Sequence, residues 1–257
     1  MPTELLIEAS RLLMRAEYAI ALTGAGSSTH SGIPDFRSPE SGLWHQVNPF
    51  EVASLQGFRY RPEAFYRWIK PLARKMLETE PNPAHYALAE LEQHGFIKSV
   101  ITQNIDMLHT RAGSKTVYEV HGHIREATCI SCFKVYPGEP ILRALLDSHL
   151  DDIPRCEDCG GVLKPNVVLF GEQLPAQILM KAERDTRRAD LMLVAGSSLE
   201  VYPIADLPRR VKEKGGKLIL VNLASTDYDR IADIVIHGDV AEVLPQIVKL
   251  VQGERND

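Results

Sequence analysis

Four cysteines are the residues whose spacing most directly predicts chemistry. They form two Cys-x-x-Cys pairs, Cys129 with Cys132 and Cys156 with Cys159, and 23 residues separate the pairs. Two such pairs can present four thiolates to one tetrahedral zinc ion, and four sulfur ligands leave no coordination position for water. The spacing therefore predicts a structural zinc site. The alternative is a zinc ribbon that binds nucleic acid, and the acidic residues beside the second pair oppose it.

A glycine turn near the start of the chain is the second candidate. The apolar run Tyr18–Thr23 is followed by Gly24-Ala25-Gly26. Glycines after a buried strand let the backbone approach a pyrophosphate, while the next helix N-terminus supplies N–H donors, so the pattern predicts dinucleotide binding. An ordinary strand–helix corner stays open as the alternative. The pattern departs from the dehydrogenase fingerprint, because Thr29 occupies the third glycine position and no acidic residue ends a second strand about 20 residues later.

Polar residues follow another predicted strand, Ile97–Thr102. Gln103, Asn104 and Asp106 come directly after it. Open α/β sheets bind their ligands at the carboxyl ends of their strands, which favours a binding role for these side chains. An Asn or Asp at this position can equally be a helix cap.

Strand and helix patterns alternate along most of the chain, and this alternation predicts a mostly parallel, doubly wound sheet. An amphipathic first helix precedes the first strand. The predicted strands are Tyr18–Thr23, Ile97–Thr102, Asp190–Ala195, Lys217–Asn222 and Ile234–Ile236, and the predicted helices are Ala84–His94, Ala176–Ala189, Ala205–Lys214 and Ala241–Val251.

Two stretches do not fit the alternation. Aromatic residues among prolines, from about residue 38 to 83, indicate a helical insertion with its own aromatic packing. The other stretch contains all four cysteines and a predicted helix, Ile141–Leu150. The expected fold is an α/β, Rossmann-like doubly wound parallel sheet formed by residues 1–37, 84–124 and 165–257. A cofactor loop and helical module at 38–83 and a zinc module at 125–164 complete it.

Composition limits the class of protein. The chain is 44% hydrophobic and 25% charged, as in ordinary globular proteins, and its net charge of -5 argues against nucleic acid as a direct partner. The N-terminal residues lack the basic region of a signal peptide, and no apolar run approaches the roughly 20 residues of a membrane span. We therefore expect a soluble, cytoplasmic protein without membrane contact, in which thiols are reduced and the cysteines are free to bind metal.

The run Gly24–Arg37, which contains Gly-Ile-Pro-Asp-Phe-Arg, resembles the signature of the sirtuins, a family of NAD-dependent protein deacylases. Gln-Asn-Ile-Asp at 103–106, Glu-Val-His-Gly at 119–122 and the segments 167–172 and 196–203 are similar to further sirtuin motifs. The resemblance extends from residue 24 to 240 and is to a minimal catalytic core of the prokaryotic type. Ser27 is a departure, since many sirtuins have an aliphatic residue there.

The resemblance implies that NAD is a co-substrate, beside one structural zinc ion. Arg37 would meet the diphosphate, for which the fork of a guanidinium is well suited. Phe36 would cover the nicotinamide, Asp106 would bind its carboxamide, and Asn222 would replace the missing acidic ligand of the ribose. The implied cofactor-binding residues are Gly24, Ala25, Gly26, Thr29, Asp35, Phe36, Arg37, Gln103, Asn104, Ile105, Asp106, His121, Gly196, Ser197, Ser198, Asn222, Leu223, Asp239 and Val240.

The resemblance also selects a catalytic base. The chain has nine histidines, and only His121 lies in the Glu-x-His-Gly context that resembles the catalytic position of sirtuins. An imidazole titrates near neutral pH, so it can accept a proton in one step and act as a cation in the next. Asn104 is the second implied catalytic residue. We expect His109 to be structural and His123 to lie at the rim of the site.

Sirtuins bind an acylated peptide as an added strand, through backbone hydrogen bonds that tolerate many sequences. The implied substrate-binding residues are Val168, Phe170, Gly171 and Val201, although Val168 and Phe170 alone would indicate an ordinary core strand. In the implied reaction, the acyl oxygen displaces nicotinamide at the ribose C1′, His121 activates a ribose hydroxyl, and water completes the transfer. The products are lysine, nicotinamide and O-acyl-ADP-ribose.

One departure concerns the acyl group. Sirtuins that prefer acidic acyl chains share a Tyr-x-x-Arg pair, and this chain has Tyr66 but Ile69 at the arginine position. We therefore expect a deacetylase that prefers uncharged acyl groups to succinyl. We also expect the protein to be a monomer. Three alternatives are a mono-ADP-ribosyltransferase of the same fold, a nicotinamide dehydrogenase and a zinc-dependent binding module without catalysis.

Overall fold

The computed structural model describes residues 3–35, 47–149 and 152–256. The helices are α1 (Thr3–Arg15), α2 (Pro49–Val52), α3 (Leu55–Tyr60), α4 (Pro62–Glu78), α5 (Pro83–Gln93), α6 (Leu108–Arg111), α7 (Gly138–Asp147), α8 (Ala176–Arg188), α9 (Leu207–Glu213) and α10 (Val240–Asn256). The strands are β1 (Ala19–Thr23), β2 (Val100–Thr102), β3 (Val117–Glu119), β4 (Gly122–Cys129), β5 (Val135–Pro137), β6 (Leu163–Val167), β7 (Leu191–Ala195), β8 (Lys217–Asn222) and β9 (Ile234–His237).

Six of the strands in the described residues form one parallel sheet, in the order β3-β2-β1-β7-β8-β9. The order reverses between β1 and β7, and ligands of open α/β sheets bind at such a switch point, outside the carboxyl ends of the strands. The predicted Rossmann-like sheet is therefore confirmed. The predicted strand Ile97–Thr102 is shorter in the structure, where only Val100–Thr102 pairs with its neighbours.

The alternation of side chains along β1 explains why helices cover both faces of this sheet. Ala19 and Ala21 belong to the core beneath α1, α5 and α10, whereas Ile20 and Leu22 belong to the core beneath α8 and α9. Successive residues of a strand point to opposite faces, so a strand that is apolar throughout must be buried on both. All five residues of β1 are buried.

A smaller antiparallel sheet has the order β5-β4-β6, and of the four cysteines Cys129 ends β4 while the other three lie in loops. It spans more of the chain than residues 125–164, because β4 begins at Gly122 and β6 ends at Val167. The predicted helix Ile141–Leu150 corresponds to α7, which begins and ends earlier along the chain.

The helical insertion has the predicted aromatic packing of its own, and it also shares a core with the smaller sheet and α7. Phe58, Phe65 and Tyr66 do pack together, with ring centroids 5.2 to 6.0 Å apart. Leu142 and Leu145 of α7 belong to the same buried cluster. The reason is that α4 and α7 are both amphipathic, and each buries its apolar face against the other.

Within the described residues, none of the helices is both long enough and apolar enough to span a membrane.

Candidate active site

Two adjacent cavities lie at the carboxyl ends of the parallel strands in the described part of the chain. The polar cavity, of about 340 Å³, is lined by residues that follow β1, β2, β3, β7, β8 and β9. The apolar cavity, of about 260 Å³, extends from there towards α4 and the segment after β6. The residues that line both cavities are Ala25, Gln103, Asn104, His121 and Val201. The two cavities therefore meet at the side chains for which the motifs predicted chemistry.

His121 is held at this junction by its ring and by its backbone. Its Nδ1 lies 3.1 Å from the backbone oxygen of Gln103. A carbonyl oxygen can only accept, so Nδ1 carries the hydrogen and Nε2 is the nitrogen that can take a proton. The backbone oxygen of His121 accepts a hydrogen bond from the Val168 N–H at 2.8 Å. The same residue thus contacts the strand ends and the predicted substrate segment.

Neither of the two rival histidines lines the polar or the apolar cavity. His109 is buried behind the site, where its Nε2 lies 2.8 Å from Thr23 Oγ1, and burial lowers its pKa well below the usual value. His123 is half-buried, and its Nδ1 has no hydrogen-bond partner among the described residues.

Asn104 is fixed through Nδ2, whose two hydrogens have three acceptors within hydrogen-bond distance. They are the backbone oxygen of Gly24 at 3.1 Å, Ser27 Oγ at 3.1 Å and Ser28 Oγ at 3.0 Å. The unusual Ser27 is fully buried and donates back to the Gly24 oxygen at 2.7 Å. Its hydroxyl therefore supports Asn104, which an aliphatic side chain could not do.

Asp106 is a buried carboxylate at the wall of the apolar cavity. Its Oδ2 accepts from Ser28 Oγ at 2.6 Å, and its Oδ1 accepts from the Leu108 N–H at 2.9 Å. Burial raises the pKa of Asp106, while these two hydrogen bonds oppose the rise. Behind Ser28, burial lowers the pKa of His85 to about 4, so this imidazole is neutral at physiological pH.

The glycine turn packs against the chain that follows β7. A Cβ on Gly24 or Gly26 would lie 2.9 Å from the backbone oxygen of Gly196, and Gly196 itself has a φ of +63°. Glycine is therefore required for contact between these two loops. The expected helix N-terminus is wrong for the described residues after the turn, where only short 3₁₀ turns, Ala25–Ser27 and Thr29–Ser31, are formed.

The far end of the polar cavity contains the residues predicted to bind the adenosine half of NAD. Asn222 lies at its wall, but both ends of its amide are bonded to the backbone of Ser197, at 2.9 and 3.1 Å. Asp239 caps α10 through the Ala241 N–H and pairs with His30 Nδ1 at 2.9 Å. Their side chains thus shape the wall of the cavity.

Most of the predicted cofactor residues come together around the polar cavity. Ile105 and Asp106 do not, because they line only the apolar cavity. Phe36 and Arg37 lie outside the described residues. The predicted residues that line the polar cavity are Gly24, Ala25, Gly26, Thr29, Asp35, Gln103, Asn104, His121, Gly196, Ser197, Ser198, Asn222, Leu223, Asp239 and Val240.

Comparison with known proteins decides the family. The sequence pattern of the Sir2 family matches residues 24–203. The chain belongs to the Sir2 family, the sirtuins. It is 46% identical over 251 residues to NAD-dependent protein deacylase 2 of Archaeoglobus fulgidus, covering 97% of each chain. It is 47% identical over 243 residues to the NAD-dependent protein deacetylase of Sulfurisphaera tokodaii, covering 95% of this sirtuin and 94% of the relative.

Solved structures of Sir2 enzymes superpose closely on this sirtuin. One Sir2 enzyme is 44% identical, with a TM-score of 0.91 and coverage of 98% and 99% of the two chains. A Sir2 complex with a deacetylated p53 peptide and 3′-O-acetyl-ADP-ribose is 44% identical, with a TM-score of 0.89 and coverage of 94% and 96%. A Sir2 complex with a p53 peptide and NAD⁺ is 44% identical, with a TM-score of 0.86 and coverage of 96% and 98%.

The apolar cavity of this sirtuin contains all four predicted substrate residues, Val168, Phe170, Gly171 and Val201, in its wall. The backbone of Phe170 is bonded to the helical insertion, since its N–H donates to the Ala53 oxygen and its oxygen accepts from the Leu55 N–H, both at 2.9 Å. The helical insertion therefore fixes Phe170, and Phe170 does not lie in a core strand.

The opposite wall of the apolar cavity is one face of α4. Phe65, Ile69, Leu72 and Met76 lie on this face at helical spacing, and of these the sequence motifs indicated a role in the site only for Ile69. An amphipathic pattern predicts that such residues are buried, but it does not distinguish a core from a cavity wall. Ser28 was likewise missed as a residue of the site, because its partners are distant in the sequence.

The four cysteines of this sirtuin are positioned to bind one zinc ion. Their Sγ atoms all lie within 4.8 Å of one another, with 3.5 Å between Cys129 and Cys159 and 3.6 Å between Cys132 and Cys156. Sulfur ligands about 2.3 Å from a tetrahedral zinc ion are roughly 3.8 Å apart, so the cluster fits the ion. The Ser131 and Cys132 N–H groups point at Cys129 Sγ from 3.4 and 3.5 Å, as donors to a thiolate would.

Proposed function

We propose that this sirtuin is an NAD-dependent protein lysine deacetylase that transfers the acyl group to ADP-ribose and releases nicotinamide and O-acyl-ADP-ribose. One observation carries the proposal: a polar cavity suited to a dinucleotide and an apolar cavity suited to an acylated lysine meet at His121. The names of the curated relatives and the NAD⁺ and O-acetyl-ADP-ribose complexes of related Sir2 enzymes support it.

The residues at the junction would orient the reactants. NAD supplies an electrophilic ribose carbon and nicotinamide as the leaving group. Asn104, immobilised by its three acceptors, and Gln103, whose Nε2 donates to Ser197 Oγ at 2.8 Å, would hold the ribose between the cavities. His121 would take the proton from a ribose hydroxyl through Nε2. Holding the reactive groups in line makes the encounter effectively intramolecular, which is a large part of the rate enhancement.

The substrate would bind as an extended peptide across the mouth of the apolar cavity. The segment from Val168 to Gly171 lines that cavity, and backbone hydrogen bonds join Val168 to His121 and Phe170 to the helical insertion. Related Sir2 enzymes bind p53 peptides, which supports a peptide substrate for this sirtuin. Recognition through backbone hydrogen bonds would leave the enzyme tolerant of many flanking sequences.

The apolar cavity also supports a preference for uncharged acyl groups. Ile69 lies in its wall, whereas the Tyr66 hydroxyl is buried and donates to the backbone oxygen of Leu163. Among the described residues of the wall, the ionisable groups are His121, the Tyr202 hydroxyl and the carboxylates of Asp106 and Glu172. Among these described residues of the wall, a succinyl carboxylate would meet two carboxyl groups and no arginine or lysine side chain, which is unfavourable.

We therefore expect kcat/KM for a succinyl-lysine peptide to be lower than that for an acetyl-lysine peptide by about tenfold or more, since each 1.4 kcal/mol of lost binding is about tenfold. A butyryl-lysine peptide of the same sequence is the matched control, because butyryl has the length of succinyl without its charge. Steady-state rates of nicotinamide release measure all three. Equal rates on the succinyl and acetyl peptides would contradict the preference.

Release of nicotinamide tests the function itself. We expect nicotinamide to be released from NAD only when an acyl-lysine peptide is present. One deacylated peptide should form for each nicotinamide released, as measured by liquid chromatography and mass spectrometry. A mono-ADP-ribosyltransferase would instead attach labelled ADP-ribose to protein, and a dehydrogenase would produce reduced cofactor. A binding module would release no nicotinamide, and any of these three results would reject the deacetylase.

A further inference from the structure

Glu119 and Arg125 form an ion pair across the turn that carries His121. Arg125 Nη1 donates to Glu119 Oε1 at 2.6 Å, and Nη2 donates to Oε2. Glu119 ends β3 of the parallel sheet, whereas Arg125 lies in β4 of the smaller sheet. The pair therefore joins the two sheets on either side of the catalytic histidine.

Only two residues, Val120 and His121, separate β3 from β4, and hydrogen bonds hold both of them. The Val120 N–H donates to the Thr102 oxygen at 3.0 Å, and His121 contacts Gln103 and Val168. Gly122 has a φ of +79°, and a Cβ there would lie 2.0 Å from the Asn166 oxygen. The chain thus changes direction at His121–Gly122, where it leaves one sheet and enters the other.

The Glu119–Arg125 ion pair is less exposed to solvent than a typical surface ion pair. The Glu119 side chain is only 9% exposed, and one guanidinium binds both of its oxygens. Exposed pairs contribute little because water competes for both partners, but a bidentate pair with a buried carboxylate has a defined geometry. The Glu119 charge also contributes, after burial, to raising the pKa of Asp106, and Arg125 lies where it neutralises that charge.

We propose that Glu119 and Arg125 are positioning residues for the deacylation reaction, which rests on the function proposed above. They close the turn at both ends and so keep the His121 ring at the junction of the two cavities. Neither residue lines the polar or the apolar cavity, so they would act on the reaction through His121 and not by touching the reactants.

The test separates positioning from stability with two variants. Arg125→Met leaves the Glu119 carboxylate buried without its partner, so it should lower both Tm and kcat. The double variant Glu119→Met with Arg125→Met removes the buried charge, and apolar replacement of a buried ion pair is often neutral for stability. We expect Tm to recover in the double variant while kcat stays about tenfold below wild type, because small displacements of a catalytic group cost large factors in rate.

Arg143→Met is the matched control. It removes another arginine–glutamate pair near the smaller sheet, Arg143 with Glu139 on α7, whose side chains are 61% and 63% exposed. We expect its kcat and Tm to equal those of wild type. Arg125→Lys keeps the charge but not the fork of donors, so its kcat should fall between wild type and Arg125→Met. The KM values for NAD and for the acyl-peptide, and the zinc content, should be unchanged in all four variants.

The outcomes discriminate between the proposals. Recovery of kcat together with Tm in the double variant would overturn the positioning role, and so would a loss confined to KM. Wild-type enzyme that releases no nicotinamide with an acyl-peptide would overturn the proposed function and the positioning role together. Active wild-type enzyme with an undiminished double variant would overturn the positioning role alone.

Discussion

Replacement of His121 by alanine is expected to lower kcat by roughly three orders of magnitude, the usual contribution of a general base. The ring lines both cavities, and its Nδ1–H is held by the Gln103 oxygen, which leaves Nε2 as the basic nitrogen. The backbone contact to Val168 survives the substitution. Tm and the Kd for NAD should therefore stay near the wild-type values. Single-turnover deacylation, thermal unfolding and calorimetric titration with NAD measure these three quantities.

His123→Ala is the matched control for this experiment. His123 lies two residues further along the same segment, is half-buried and lines neither cavity. The variant should retain turnover within about threefold of wild type, which corresponds to a barrier change of roughly 0.6 kcal/mol. Near-normal turnover in His121→Ala, or an equal loss in the two variants, would show that His121 is not the base.

Replacement of Cys129 by serine is expected to release the zinc ion and lower Tm by about 10 °C or more. Cys129 is fully buried and packs with Cys156 and Leu163 in the core of the smaller sheet. Structural zinc contributes about 10–16 kcal/mol to folding in small zinc-binding peptides. Loss of the ion should therefore strongly destabilise the small core around Cys129. Elemental analysis of the purified protein and thermal unfolding measure the two effects.

Ser131→Ala controls for a local disturbance of the cysteine loop. The substitution keeps the backbone N–H that points at Cys129 Sγ, so zinc content and Tm should equal those of wild type. Removal of zinc from the wild-type protein by a chelator should lower its Tm as the Cys129→Ser substitution does. Ser131→Ala should respond to the chelator in the same way as wild type. A Cys129→Ser protein with full zinc content, or with an unchanged Tm, would contradict a structural metal site.

The parallel sheet could be predicted because its inner strands are continuous apolar runs. Every residue of β1 and β7 is buried, which is the pattern that such runs indicate. The short edge strand β3 and the smaller sheet were not predicted. β4 has an irregular burial pattern and a shift of register, so its sequence lacks the alternation that identifies a half-buried strand.

The candidate site could be located from the sirtuin motifs, but its hydrogen bonds could not. Ser28 binds Asn104 and Asp106, which are 76 and 78 residues away along the chain. Such pairing depends on the strand order, and a single sequence contains no direct signal for it. The boundaries between the proposed modules, and the individual roles of the site residues, stay predictions.

The residues that form the wall of the apolar cavity also form part of a hydrophobic core. Substitutions that change the shape of the cavity therefore also change that core. Phe65, Ile69 and Leu72 line the cavity and belong to the core shared with Leu142 and Leu145 of α7. A mutation that widens the cavity for a bulkier acyl chain thus also removes contacts that attach the metal-binding region to the rest of the enzyme. Directed evolution towards new acyl groups will have to select compensating substitutions on α7 in the same round.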